Sequence, residues 1–217
     1  MIKNFLFFTF FFPFFLCLSV DDLQSFDFSK FDTNRIELKL NTGFGSGVVR
    51  GKISNIAGKI NFSIDKIGDS QGKLIMDARS VRFGYNKVDS DAHNTEWLNS
   101  AHFPKILYTL KSMEQFRWEN DFLYAQTNGV LSIKSTSLPI SFPVQIHYRK
   151  GERKRYDGKK GDMIFIRGNF QLSREKLSIN SDSAFDSILD TVHVSIHLMA
   201  ASNKVRLFLP SKAFGKN

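Results

Sequence analysis

Apolar and polar side chains alternate with a period of two along most of this chain, which predicts strands with one dry and one wet face. Ile36, Leu38 and Leu40 alternate with Arg35, Glu37 and Lys39; Ile60, Phe62 and Ile64 alternate with Lys59, Asn61 and Ser63. Leu74, Met76 and Ala78 alternate with Lys73, Ile75 and Asp77, and Ile106, Tyr108 and Leu110 with Lys105, Thr109 and Lys111. A long strand follows at 123–133, then Ile164, Ile166, Phe170 and Leu172 on one inward face and Val192, Val194, Ile196 and Leu198 on another. About eight such strands, mostly joined by short turns bearing Gly, Asn or Ser, predict an all-β fold. An antiparallel β-barrel fits them better than an arrangement alternating strands with helices.

The clearest alternation runs over residues 138–148, with Leu138, Ile140, Phe142, Val144, Ile146 and Tyr148 at every even position. Pro139 and Pro143 share the odd face, and alternate residues of a strand aim their backbone groups at the same neighbour. One side of this strand therefore lacks two ladder donors, which predicts an open or weakly paired seam there. Two connections are too long for hairpin turns. Residues 79–104 are expected to hold a short helix at 95–100, capped by Asn94 or Thr95, and residues 173–190 another near 183–189. Long loops in a compact domain tend to be lids or binding elements.

Within residues 74–113 lie three signatures in order: Asp77-Ala78-Arg79-Ser80, Asp91-Ala92-His93, and Phe103-Pro104-Lys105-Ile106-Leu107-Tyr108. Val49-Arg50-Gly51-Lys52-Ile53, Gly58-Lys59-Ile60 and Gly129-Val130-Leu131-Ser132-Ile133 add to them. In this order and spacing the chain resembles the YceI-like family over about residues 33–200. The resemblance implies a lipocalin-like barrel that binds a polyisoprenoid or another long-chain lipid in an elongated pocket, with the long segments at the barrel ends. Departures occur where the family has a His-Gly-x-Thr turn, here Lys134-Ser135-Thr136-Ser137, and where it has Arg-x-x-Phe-Gly, here Arg174-Glu175-Lys176-Leu177-Ser178. They bear on ligand identity more than on fold.

Residues 5–18 form a nearly unbroken apolar run behind Lys3, interrupted by Pro13. The run is short for a bilayer span of about 20 residues, and Cys17 and Ser19 place small residues before a cut at Val20. Residues 1–19 are thus expected to be a secretory signal peptide and the protein periplasmic or secreted, with lipid anchoring through Cys17 as the alternative. Residues 20–32 then form a lead-in, 33–200 the barrel domain and 201–217 a basic tail. The formal charge of +9 is concentrated: residues 149–162 hold seven basic and three acidic side chains. In an exported protein that favours an anionic membrane surface over nucleic acid as a partner, and a solvated hairpin loop is the plainer reading.

An eight-stranded barrel is just wide enough to be filled by side chains or to hold one small ligand. The expected ligand-facing wall is Ile36, Leu38, Phe62, Met76, Phe83, Ile106, Tyr108, Leu131, Phe142, Val144, Phe170, Val194 and Ile196, together with Ile60, Leu74 and Ile133. Such a wall offers no carboxylate pair for acid–base work; it suits a hydrocarbon, each buried methylene contributing about 0.8 kcal/mol. Asp91, His93 and Trp97 are the candidates for a polar rim, with capping of the crossover as the structural alternative. His193 and His197 share a strand face but stand roughly 13 Å apart, too far to ligate one metal ion. Asp89-x-Asp91-x-His93 lacks the glycine and glutamate of a calcium loop, and no serine sits in a nucleophile elbow. The expectation is a non-catalytic lipid-binding protein without cofactor or metal, or alternatively an envelope interaction protein that binds an anionic surface or a protein partner through its basic loop and tail.

Overall fold

The alternation resolves into antiparallel strands in a computed structural model that describes residues 23–43, 47–179 and 188–206. The expected signal peptide, Cys17, most of the 183–189 helix and residues 207–217 lie outside the described residues. In chain order the strands are β1 (Gln24–Asp27), β2 (Arg35–Thr42), β3 (Val48–Ile53), β4 (Ile56–Phe62), β5 (Gln71–Asp77), β6 (Lys105–Glu119), β7 (Phe122–Ile133), β8 (Thr136–Arg149), β9 (Met163–Ser173) and β10 (Ile188–Ala201). Part of the expected lead-in is therefore barrel wall. β1 and β2 line up as one kinked strand, as do β3 and β4, because Leu38 pairs with Gly51 and Phe26 with Ile60 along a single hairpin. Counted this way, eight strands pair each with the next, and β10 closes the barrel against β1 at Asp27–Ala201 and against β2.

Each strand turns one face inward, as the period of two requires. On β7, for instance, Leu123, Ala125, Leu131 and Ile133 are buried. Thr127 shares that face and is satisfied by donating its hydroxyl to the Phe142 carbonyl at 2.9 Å. Gly129 also points inward. A Cβ there would stand 2.5 Å from the Thr109 carbonyl and 2.6 Å from the Tyr108 ring, so the glycine is what lets Tyr108 lie flat across the strand.

One end of the barrel is sealed. Phe26 meets Phe62 and Tyr148 edge-on, with ring centroids 6.3 and 6.0 Å apart. Beneath these rings the fully buried Asp162 carboxylate accepts from Tyr148 Oη at 2.5 Å, Gly151 N at 2.7 Å, Arg206 N at 2.9 Å and Gln24 Nε2 at 3.0 Å. Four donors repay the cost of burying a charge. The basic loop is part of this seal. Arg153, on the one-turn helix α2 (Lys154–Asp157) at its start, is 1% exposed, holds Asp157 at 2.7 Å and donates to the Ser202 carbonyl at 3.0 Å.

β8 shows the expected seam. It pairs with β7 over residues 136–147, Pro139 opposite Val130 and Pro143 opposite Gln126, but with β9 only over residues 144–149. The gap is covered by a 3-10 turn, Glu175–Leu177, whose Leu177 is buried. Ser178 fixes this turn by accepting from Lys134 and Thr136, both at 3.2 Å.

The helix of the long crossover lies earlier than expected. It is α1 (Asn86–His93), supported by a Lys87–Asp91 pair at 3.5 Å, whereas residues 95–100 form turns. Asn94 does cap, accepting from Glu96 N and Trp97 N at 3.1 and 3.0 Å. Asn99 in the left-handed region (φ 44°) then stops the chain from continuing as helix.

Candidate functional site: an apolar cavity

At the end opposite the seal the barrel is hollow. A cavity of about 130 Å³ is walled by inward residues of β2, β5, β6, β7, β8, β9 and β10, among them Ile36, Leu38, Met76, Ile106, Leu131, Phe142, Phe170, Val194 and Ile196. A second chamber of about 70 Å³ continues toward the sealed end, lined by Ile60, Val144, Ile146 and Ile166 among others. Leu74, Tyr108, Phe142 and Ile196 border both chambers and form a waist between them. Across it the Tyr108 and Phe142 rings lie 5.4 Å apart, and Phe142 stacks on Phe170 at 4.3 Å. Burial pushes the Tyr108 phenol up, and the Thr127 hydroxyl beside it offsets part of that.

The mouth is built by the crossover and the turn after β9. Phe83, Ala92, Trp97 and Leu98 come from the first and Leu177 and Ile179 from the second. Among the described residues Arg174 brings the one charged side chain of this wall, its guanidinium 5.1 Å from the Trp97 ring and its Nη2 donating to the Ile188 carbonyl at 2.7 Å. Burial lowers the Arg174 pKa, with Asp190 offsetting part of the shift.

Most residues expected at the wall thus meet around one space, but five of the nineteen wall and rim candidates do not line the main chamber. Ile60 and Val144 border the inner chamber, and Phe62 belongs to the aromatic seal. Asp91 is tied to Lys87. His93 lies 3.0 Å from Ser100 Oγ through Nδ1, and 2.8 Å from Arg82 Nη1 and 3.0 Å from the Val81 carbonyl through Nε2, so it staples the crossover to itself. Of the three rim candidates only Trp97 reaches the cavity.

Arg174, Leu177 and Ile179 escaped the sequence reading because they follow the last periodic residue of β9. The signal available was the departure at Arg174-Glu175-Lys176-Leu177-Ser178. Ile140 and Leu172 line the chamber too, on the inward faces of β8 and β9 that the alternation predicts.

The YceI-like domain family matches residues 29–200. The chain belongs to the YceI-like family. No curated protein matches it. Among solved structures, BcnA of Burkholderia cenocepacia is similar with a TM-score of 0.62 at 12% identity, covering 76% of this chain and 95% of that one. The YceI protein of Campylobacter jejuni gives 0.62 at 17% identity, covering 74% and 89%. A polyisoprenoid binding domain from Saccharophagus degradans, implicated in plant cell wall breakdown, gives 0.62 at 11% identity and covers 83% and 99%. At these identities the likeness establishes the fold.

Proposed function

We propose that this YceI-like barrel binds, without catalysing a reaction, one long-chain amphiphile, a polyisoprenoid or another long-chain lipid, for transport, storage or sequestration. The observation that carries this reading is the cavity: among the described residues its wall is apolar except for the Tyr108 hydroxyl inside and Trp97 and Arg174 at the mouth. A hydrocarbon gains about 0.8 kcal/mol per methylene there, and Arg174 offers a charge-assisted hydrogen bond to an anionic head. The polyisoprenoid binding domain among the structural neighbours supports a lipid as the occupant. Organic extraction of the purified protein followed by mass spectrometry is expected to yield one class of prenyl or fatty lipid. In Arg174→Gln, loss of the head-group interaction is expected to weaken binding about tenfold. A protein that carries no lipid and takes up none from mixed lipid micelles would overturn the reading.

Attachment to an anionic surface is a second reading, favoured by Lys154, Arg155, Lys159 and Lys160, which are exposed around the sealed end and leave the mouth clear. Arg153 is excluded from it, being buried in its ion pair. Sedimentation with phosphatidylglycerol vesicles should be lost on replacing Lys154 and Arg155 by Gln. Export is proposed with it, on the apolar run at 5–18; a mature N-terminus far from Val20 in the exported protein would overturn that.

A further inference from the structure

The outer wall of the barrel carries a cleft that the lipid cavity does not explain. Register places Gln145, Arg167, His197 and Arg35 directly opposite one another on β8, β9, β10 and β2, a row of hydrogen-bonding and cationic groups. One pleat further along, Phe122, His147 and Phe165 are opposed on β7, β8 and β9. The His147 ring stacks on Phe122 at 4.4 Å, and Tyr156 of α2 leans over Phe165 at 5.6 Å. The two rows, with Arg149, enclose about 400 Å³, within the range of small-molecule sites.

The charge of this cleft is one-sided. Among the described residues three arginines and two histidines line it and no carboxylate does. Glu37 holds Arg35 at 2.8 Å and lies 3.8 Å from His197, and Glu152 lies 3.5 Å from Arg149, but among the described residues Arg167 has no ion-pair partner. His147 is held below its ordinary value by burial and then by Arg149, with Arg167 adding to the effect and Asp121 and Glu152 opposing it.

We propose that this cleft is a second binding site, separate from the lipid cavity, for an anionic sugar: a pyranose-like ring bearing a phosphate or carboxylate. The flat faces of His147 and Phe165 take the ring, Arg167 forks onto the anion, and the amide of Gln145 and the hydroxyl of Tyr156 meet ring hydroxyls. Such a ring reaches the protein either as a soluble sugar phosphate or as a lipid head group.

Calorimetry with glucose 1-phosphate, glucose, inorganic phosphate and adenosine monophosphate tests this, beside sedimentation with phosphatidylinositol vesicles. Glucose 1-phosphate is expected to bind at least about tenfold tighter than glucose or phosphate. Its phosphate is expected to raise the His147 pKa read by NMR, since it offsets Arg149 and Arg167. Arg167→Gln should weaken binding about tenfold, and Phe165→Ala should weaken glucose 1-phosphate but not phosphate. Both variants lie on the outer face and should keep the wild-type lipid load; Arg167→Gln should also keep the wild-type Tm, whereas Phe165→Ala, which gives up its contacts with Tyr156 and His147, should lower it modestly. Binding confined to phosphatidylinositol vesicles and lost in Arg167→Gln assigns the site to a head group. Equal affinity for phosphate alone, a preference for adenosine monophosphate, or indifference to Arg167→Gln overturns the proposal.

Discussion

The waist of the cavity depends on what one residue lacks. Gly129 has no side chain, and Tyr108 lies in the space where one would be, 2.6 Å from an ideal Cβ. In Gly129→Ala the Thr109 carbonyl, 2.5 Å away, is backbone and cannot swing aside, so the strands must part or Tyr108 must lift. A loss of about 1–3 kcal/mol follows for such overpacking, measured as the shift in urea unfolding against wild type. Gly129 was legible as part of the Gly129-Val130-Leu131-Ser132-Ile133 signature, and its reason was not. Nothing in the period-two pattern says which ring lies over which glycine. The same limit explains the rim. Asp91 and His93 were readable as polar residues in a long loop, but whether such groups face a cavity or each other depends on the turn at Asn94.

At the level of elements, strands were the legible part and irregular connections were not. Period two fixed the inward face of β7 and β8, and two prolines on one face located the seam with β9. Positions past the end of a strand carry no such period, so the 3-10 turn bearing Leu177 went unread. The basic loop shows a different failure: composition counts charges and cannot tell a solvated arginine from a buried one. Arg153 is bound by Asp157, whose carboxyl is held below the ordinary range chiefly by that hydrogen bond and ion pair. Because the folded-state value is the lower one, this stabilisation is full above the unfolded carboxyl pKa of about 3.9 and fades as pH falls through that range. Asp157→Asn removes the negative charge opposite a buried guanidinium and leaves it one amide oxygen beside the Ser202 carbonyl and Asn203, at a cost of about 2 kcal/mol near neutral pH. Urea unfolding at pH 7 and at pH 3 checks both parts: the gap between variant and wild type should narrow on acidification.

For the molecule as a whole, sealing one end and hollowing the other gives the cavity a direction. A chain entering past Trp97 and Arg174 meets about 130 Å³ of apolar space before the waist at Tyr108 and Phe142, and about 70 Å³ beyond it. Filling the outer chamber requires no ring to move, so each added methylene should contribute its ordinary increment of about 0.8 kcal/mol. Growth past the waist must displace Phe142 from its stack on Phe170 and from Tyr108, and that cost opposes the next few methylenes. Affinity in a series of single-chain amphiphiles with one head group should therefore rise, flatten, and rise again once the inner chamber is reached. Phe142→Ala joins the two chambers and should turn the plateau into a continuous rise. The truncation costs about 3–5 kcal/mol of stability in the unliganded protein, part of which a long ligand restores by filling the space. Thermal shifts across the series, converted through ligand-linked stabilisation, measure both curves. If wild type and Phe142→Ala give parallel straight lines, the waist is no barrier and the barrel opens as one space.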